Sequence, residues 1–130
     1  MKYIYYDAEL IRPQAGIFVF GSNLAGRHGK GAALVAKQHY GAIQGQEQGF
    51  TGKSYAIPTK DWRLVPLELH LVAVHIKRFQ EAAYKRTYTL FWVTKIGCGL
   101  AGYNDSQIAP LFRDSPDNCI FHRDWSEYLE

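Results

Sequence analysis

Ile17-Phe18-Val19-Phe20-Gly21-Ser22-Asn23-Leu24-Ala25-Gly26-Arg27-His28-Gly29-Lys30-Gly31-Ala32-Ala33 is an apolar run that breaks into a glycine-rich segment and then into a helix-like stretch. The run 17–20 is continuous rather than alternating and is bounded by Gly16 and Gly21. It predicts a central strand buried on both faces. Ala32, Ala33, Val35, Ala36 and His39 fall at helical spacing and predict a helix over 31–40, stopped by Gly41. A strand, a glycine loop and a helix start place bare backbone N–H groups around a concave site. The helix N-terminus adds partial positive charge, so the arrangement suits phosphate. A lone glycine loop is more often only a tight turn. A second one, Gly97-Cys98-Gly99-Leu100-Ala101-Gly102, follows the apolar run Leu90-Phe91-Trp92-Val93 and leads into another helix-like stretch. Two equivalent loops imply two phosphates, hence a diphosphate or dinucleotide-like ligand.

The rest of the chain repeats the alternation. Residues 3–6 read as a short strand with Asp7 at its end. Residues 44–52 are polar and glycine-rich and read as a loop. Ser54-Tyr55-Ala56-Ile57 is a strand ended by Pro58, and 59–63 a loop. Pro66 suits a first helical turn, and Leu67, Leu71, Val74 and Arg78 share a stripe with Val72, Ile76, Phe79 and Ala83 beside it. That predicts the longest helix over 66–84. A strand follows over 88–93. Asn104-Asp105-Ser106-Gln107 has the form of a capping box. Pro110 makes the helix behind it short or kinked. Residues 118–121 read as a last strand, and 125–129 as a terminal turn or helix. Strands alternating with helices predict an α/β domain with helices on both sheet faces. Ligands of such sheets bind at the carboxyl ends of the strands. Both glycine loops, the 58–61 segment and Asp7 fall there.

At 130 residues the chain makes one domain, and 47% apolar with 21% charged residues is ordinary for a globular core. No run approaches the roughly 18 apolar residues of a membrane span. The first residues lack the basic region and apolar stretch of a signal peptide. Cys98 and Cys119 form neither a disulfide framework nor a metal pattern. The expectation is a cytoplasmic protein with no metal and no cofactor. A net charge of +3 favours anionic partners, but the basic residues are scattered rather than striped. A nucleic-acid partner stays open and is not favoured.

Gly21 and Gly26 have the spacing of a phosphate-binding P-loop, yet Arg27-His28 stands where Lys-Ser/Thr is required. No third glycine and no acidic residue about 20 positions on complete a dinucleotide fingerprint. His28 is a candidate phosphate or ribose contact or an acid/base near neutral pH; a solvent-exposed loop histidine is the other reading. Arg27 is a comparable phosphate candidate. His70 and His75 are five apart, off one helical face, which argues against a helix-borne zinc pair.

Phe18-Val19-Phe20-Gly21-Ser22-Asn23 with Gly29-Lys30-Gly31-Ala32-Ala33 resembles the first signature of macro domains, in which a strand ends in Asn and a glycine cluster opens the next helix. Thr94-Lys95-Ile96-Gly97-Cys98-Gly99-Leu100 resembles the second signature, most closely that of the terminal ADP-ribose protein glycohydrolase branch. Tyr55-Ala56-Ile57-Pro58-Thr59-Lys60 is similar to the segment that carries the catalytic lysine of that branch. Small macro-like proteins of phages and bacteria look similar over residues 2–122. The resemblance implies a three-layer α/β/α fold with a mixed central sheet. It implies binding of ADP-ribose, or of an ADP-ribosylated macromolecule, and hydrolysis of an ADP-ribosyl linkage or an ADP-ribose phosphate ester. Asp7 would then accept the adenine amino group and Asn23 would orient the distal ribose. Amides of Gly29, Gly31 and Ala32 would hold one side of the diphosphate, and those of Gly97, Cys98, Gly99 and Leu100 the other. Lys60 would be the nucleophile, with His28 and Asp61 as helpers. The chain departs from the branch at Ala101, where the branch has its catalytic acid. Asp61 and Asp105 are the nearest carboxylates, so the resemblance supports binding more than turnover.

Overall fold

The computed structural model describes residues 2–7, 15–45, 47–99 and 101–130. Its strands are β1 (Ile4–Tyr6), β2 (Ile17–Asn23), β3 (Gly49–Thr51), β4 (Ser54–Lys60), β5 (Phe91–Val93) and β6 (Cys119–His122). They form one sheet in the order β1-β6-β5-β2-β4-β3. Every neighbouring pair is parallel except β3 with β4. The sheet is therefore mixed, and the parallel strands all end on one side of it.

Side chains alternate across the sheet, and the two faces bury different partners. Phe18 and Phe20 of β2 and Ala56 of β4 meet Ala33 and Ala36 of α1 (Gly31–His39), and Phe18 stacks on Tyr40 at 4.4 Å. Val19, Tyr55 and Ile57 face the other way, onto Val72, Ile76 and Phe79 of α2 (Leu69–Tyr84). The same face takes Ile108 of α3 (Asp105–Ile108) and Leu129 of α4 (Ser126–Leu129). Phe79, Phe91, Phe112, Phe121 and Trp125 run through it as a chain of ring contacts and are fully buried. The result is three layers, helices on both faces of a central sheet.

Several boundaries differ from the sequence reading, each for a physical reason. β2 continues past residue 20 because Gly21, Ser22 and Asn23 pair with Ile57, Pro58 and Lys60. β4 runs through Pro58, which lies beyond the last β3 pair, Gly49 with Ala56, so its missing N–H breaks no bond on that side. The 44–52 segment contains β3, an antiparallel edge strand too short and glycine-rich to show a period. α2 begins at Leu69 rather than 66, because Pro66 bridges Lys60 and the Leu67 N–H donates to the Thr59 carbonyl. Its buried face is Val72, Ile76, Phe79, Gln80 and Ala83, while Leu71 and Val74 of the expected stripe are exposed. β5 starts at Phe91 because Asn118 donates its amide to the carbonyls of Ala83, Arg86 and Thr89 and pins the chain before it. The Asn104–Gln107 box is present, the Asn104 N–H donating to Gln107 Oε1 at 2.9 Å. α3 is one turn long and passes into a 3-10 turn, Ala109–Phe112, that accommodates Pro110.

Candidate functional site

A cleft of about 740 Å³ opens at the carboxyl ends of β2, β4 and β5. That volume lies within the range of small-molecule sites. Arg27, Lys30, Lys60 and Lys95 line it, and among the described residues no carboxylate does. Such a lining favours an anionic occupant.

The first glycine loop forms one wall. Asn23 at the end of β2 closes it, its Nδ2 donating to the Arg27 carbonyl at 2.8 Å and its Oδ1 accepting the Arg27 N–H at 3.0 Å. Gly26 is glycine for a reason of packing: its φ is +68° and an added Cβ would lie 2.5 Å from the Gly45 backbone. Gly26 accepts the Gly45 N–H there at 2.6 Å, which ties the wall to the segment behind α1. Lys30 then stands at the N-cap of α1, and its side chain makes no capping hydrogen bond. The first turn of α1, with its N–H groups ahead of the first intrahelical bond, faces the cleft through Gly31, Ala32 and Ala33.

The second loop forms the facing wall. Thr94 donates both its N–H and its Oγ1 hydrogen to the Val19 carbonyl, at 3.1 and 2.7 Å. The Cys98 N–H turns back to the Lys95 carbonyl, and the Tyr103 N–H to that of Gly97. The N–H groups of Gly97 and Gly99 reach no backbone carbonyl among the described residues. Asp105 anchors this wall. Its Oδ1 accepts the Trp125 Nε1–H at 2.9 Å, and its Oδ2 lies 3.1 Å from Lys95 Nζ. The Cys98 thiol donates to the same carboxylate. Burial works to raise the Asp105 pKa, but the bonds from Trp125, Lys95 and Cys98 outweigh it and hold it below the ordinary aspartate value. The anchoring is therefore complete at neutral pH and is lost as pH falls through that lowered pKa. Burial first, and then the Asp105 carboxylate, push the Cys98 thiol up to about 12. Cys98 is thus a poor nucleophile at neutral pH. Asp105→Asn is expected to raise the rate of Cys98 alkylation at pH 8 by about three- to tenfold, read with a thiol reagent against buried Cys119 in a Cys98→Ser control.

Asn23, Gly29, Gly31, Ala32, Lys60, Gly97, Cys98, Gly99 and Ala101 are brought together around the cleft. Lys60 enters from the end of β4, and among the described residues no ion pair or side-chain hydrogen bond engages its ammonium. Leu100 lies outside the described residues. Three other candidates are placed away from the lining. Asp7 ends the edge strand β1, with β6 and β5 between it and β2, and pairs with Arg123 Nε at 2.6 Å. His28 is not an exposed loop residue: it is fully buried, edge-on to Phe20 at 5.3 Å. Asp61 turns its Oδ1 to the N–H groups of Arg63 and Val65, at 2.8 and 3.0 Å, and so shapes a turn. Thr59, Leu64, Thr94 and Lys95 line the cleft without having been singled out as site residues. Thr94 and Lys95 directly follow β5, so the rule that put the glycine loops at strand ends covers them too. Leu64 carries no sequence signal.

The sequence matches no protein-family model and no curated protein. Among solved structures the chain is similar to the macrodomain of Mycobacterium tuberculosis DarG, at 21% identity and a TM-score of 0.68, over 92% of this chain and 96% of that one. It is similar to a protein of unknown function from Bacteroides thetaiotaomicron, at 17% identity and a TM-score of 0.59, over 94% and 98% of the two chains. It also matches alphavirus P23pro-zbd at 15% identity and a TM-score of 0.65, covering 98% of this chain and 23% of that longer one. The order of strands, the helices on both faces and the cleft at the strand ends belong to one architecture: this chain has the macrodomain fold.

Proposed function

We propose that the cleft binds ADP-ribose or a related NAD-derived nucleotide, free or carried on a macromolecule. One observation carries the reading: two glycine loops with open backbone donors face each other across a cleft lined by four cations and, among the described residues, no carboxylate. A diphosphate between the loops would meet N–H groups on both sides. No helix among the described residues is long and apolar enough to cross a membrane, and four of the 15 Lys and Arg residues line the cleft. Calorimetric titration is expected to give micromolar-range affinity for ADP-ribose and at least about tenfold weaker binding of AMP, which lacks the second phosphate and ribose. Equal affinities, or no heat with ADP-ribose, would overturn the reading. A steep salt dependence with affinity growing along an oligonucleotide would replace it with nucleic-acid binding.

Binding is favoured over rapid turnover. Ala101 lines the cleft, and both nearby carboxylates are committed, Asp61 to its turn and Asp105 to Lys95 and Trp125. A second reading rests on Lys60. As a free amine its Nζ attacks the anomeric carbon, the C–N bond forms as the acceptor leaves with its bonding electrons and takes a proton, and water then frees ADP-ribose. With no aligned acid this is a slow reaction. Lys60→Met is expected to remove any ADP-ribosyl release, measured as product from an ADP-ribosylated peptide, and to weaken ADP-ribose binding by less than about tenfold, since one cation of the lining is lost. Undiminished release by the variant would exclude the amine.

A further inference from the structure

Leu64 is the one non-glycine residue with a positive φ, +66°, among the described residues. A leucine gains nothing there by itself, since its Cβ crowds the following carbonyl. The surrounding turn enforces the conformation. Asp61 Oδ1 accepts the N–H groups of Arg63 and Val65, the Asp61 N–H donates to the Val65 carbonyl at 2.7 Å, and the Leu64 N–H donates back to the Asp61 carbonyl at 3.0 Å. Lys60 and Pro66 bridge the base of the turn. The turn thus starts one residue after Lys60 and swings Leu64 round until its side chain lines the cleft. Glycine or asparagine would fit such a turn without strain. The neighbours Trp62 and Val65 are more exposed and do not line the cleft. A strained residue held by its surroundings and aimed into a site points to a role in that site.

We propose that Leu64 is a specificity-determining residue, an apolar wall beside Lys60 that packs against the part of the ligand beyond the diphosphate. The inference rests on the proposed ligand class. Its chemistry selects for a sugar or other group with an apolar face attached to the second phosphate, and against a nucleotide that ends at the phosphate. Leu64 supplies contact and excludes water around Lys60; it takes part in no proton or group transfer.

The experiment is calorimetry of the full chain with ADP-ribose and with ADP, together with thermal unfolding, for wild type, Leu64→Gly, Leu64→Asn and Leu64→Met. ADP-ribose binding is expected to weaken about five- to tenfold in the Gly and Asn variants, from the loss of a few tens of Å² of apolar contact. ADP binding is expected to change less than about twofold, and Leu64→Met to retain wild-type discrimination. The Tm of the Gly and Asn variants is expected to hold or to rise by up to about 4 °C as strain is relieved. Affinity falling while stability holds separates a ligand contact from a structural role. If the relieved variants bind ADP-ribose as tightly as wild type, the inference is overturned and Leu64 only fills the turn. If they lose ADP and ADP-ribose affinity equally, it is overturned too, since the wall would then act on the diphosphate. Failure of wild type to bind ADP-ribose at all is a different outcome: it overturns the ligand assignment on which the inference stands.

Discussion

Gly99→Val is expected to reduce ADP-ribose affinity more than about a hundredfold while leaving Tm within about 2 °C of wild type. The reason lies in what surrounds the glycine. An added Cβ at Gly99 meets no atom of the described residues within 4 Å beyond its chain neighbours, and no positive φ constrains the residue. A valine therefore fits the loop. It stands in the cleft, however, since Gly99 lines it, beside an N–H that reaches no backbone carbonyl among the described residues. The ligand loses both room and a donor. Gly29 on the opposite wall has the same openness and also lines the cleft, so Gly29→Val is expected to behave alike. Calorimetry and thermal unfolding on the same preparation read both quantities. Full binding by both valine variants would place the ligand elsewhere and sink the cleft as the site.

Trp125→Ala is expected to destabilise the chain by about 3–5 kcal/mol, the range for truncating a large buried aromatic. Trp125 is fully buried, with its ring 5.4 Å from Phe112 and 6.2 Å from Phe121. Its removal leaves a cavity at the end of the aromatic chain and takes a donor from Asp105. Trp125→Phe separates the two effects. It keeps most of the packing but leaves the Asp105 carboxylate with one partner fewer, and Lys95 and Cys98 share that carboxylate. Urea unfolding should show a smaller loss for the Phe variant, about 1–2 kcal/mol. Its ADP-ribose affinity should fall with it, because the wall between Lys95 and Cys98 loosens. A Phe variant with wild-type affinity would show that the wall stands without its anchor.

The architecture was legible because its signals are local. Residues 17–20 form an uninterrupted apolar run and 31–39 carry helical spacing, and both survive as β2 and α1. The glycine loops were found by position, at the ends of buried strands, and the parallel sheet brings those ends together. What the sequence hid depends on partners far along the chain. β3 exists because Gly49, Phe50 and Thr51 pair with Ala56, Tyr55 and Ser54, not because of any period of its own. Pro58 stays in a strand because the neighbouring strand stops short of it. His28 sits in a polar, glycine-rich stretch, yet Phe20 from β2 and the start of the chain after α1 close over it. Asp61 has the composition of an acid/base and the geometry of a turn. Leu64 enters the cleft through one left-handed residue, which no propensity announces.

β1 pairs with β6, and beside them Tyr5 donates its hydroxyl to Glu130, 125 positions away in sequence. That pairing sets the order of assembly. A parallel neighbour this remote closes a loop nearly as long as the domain, so its entropy is lost before its contacts form. During synthesis β1 is made before the rest of this sheet and has no partner in it until β6 follows. Of the three strands whose ends form the cleft, β2 and β4 are by contrast close in sequence and can pair early, and β5 joins β2 later. The wall carried by β2 and β4 is thus able to form first, the wall after β5 follows, and the outer edge is sealed last.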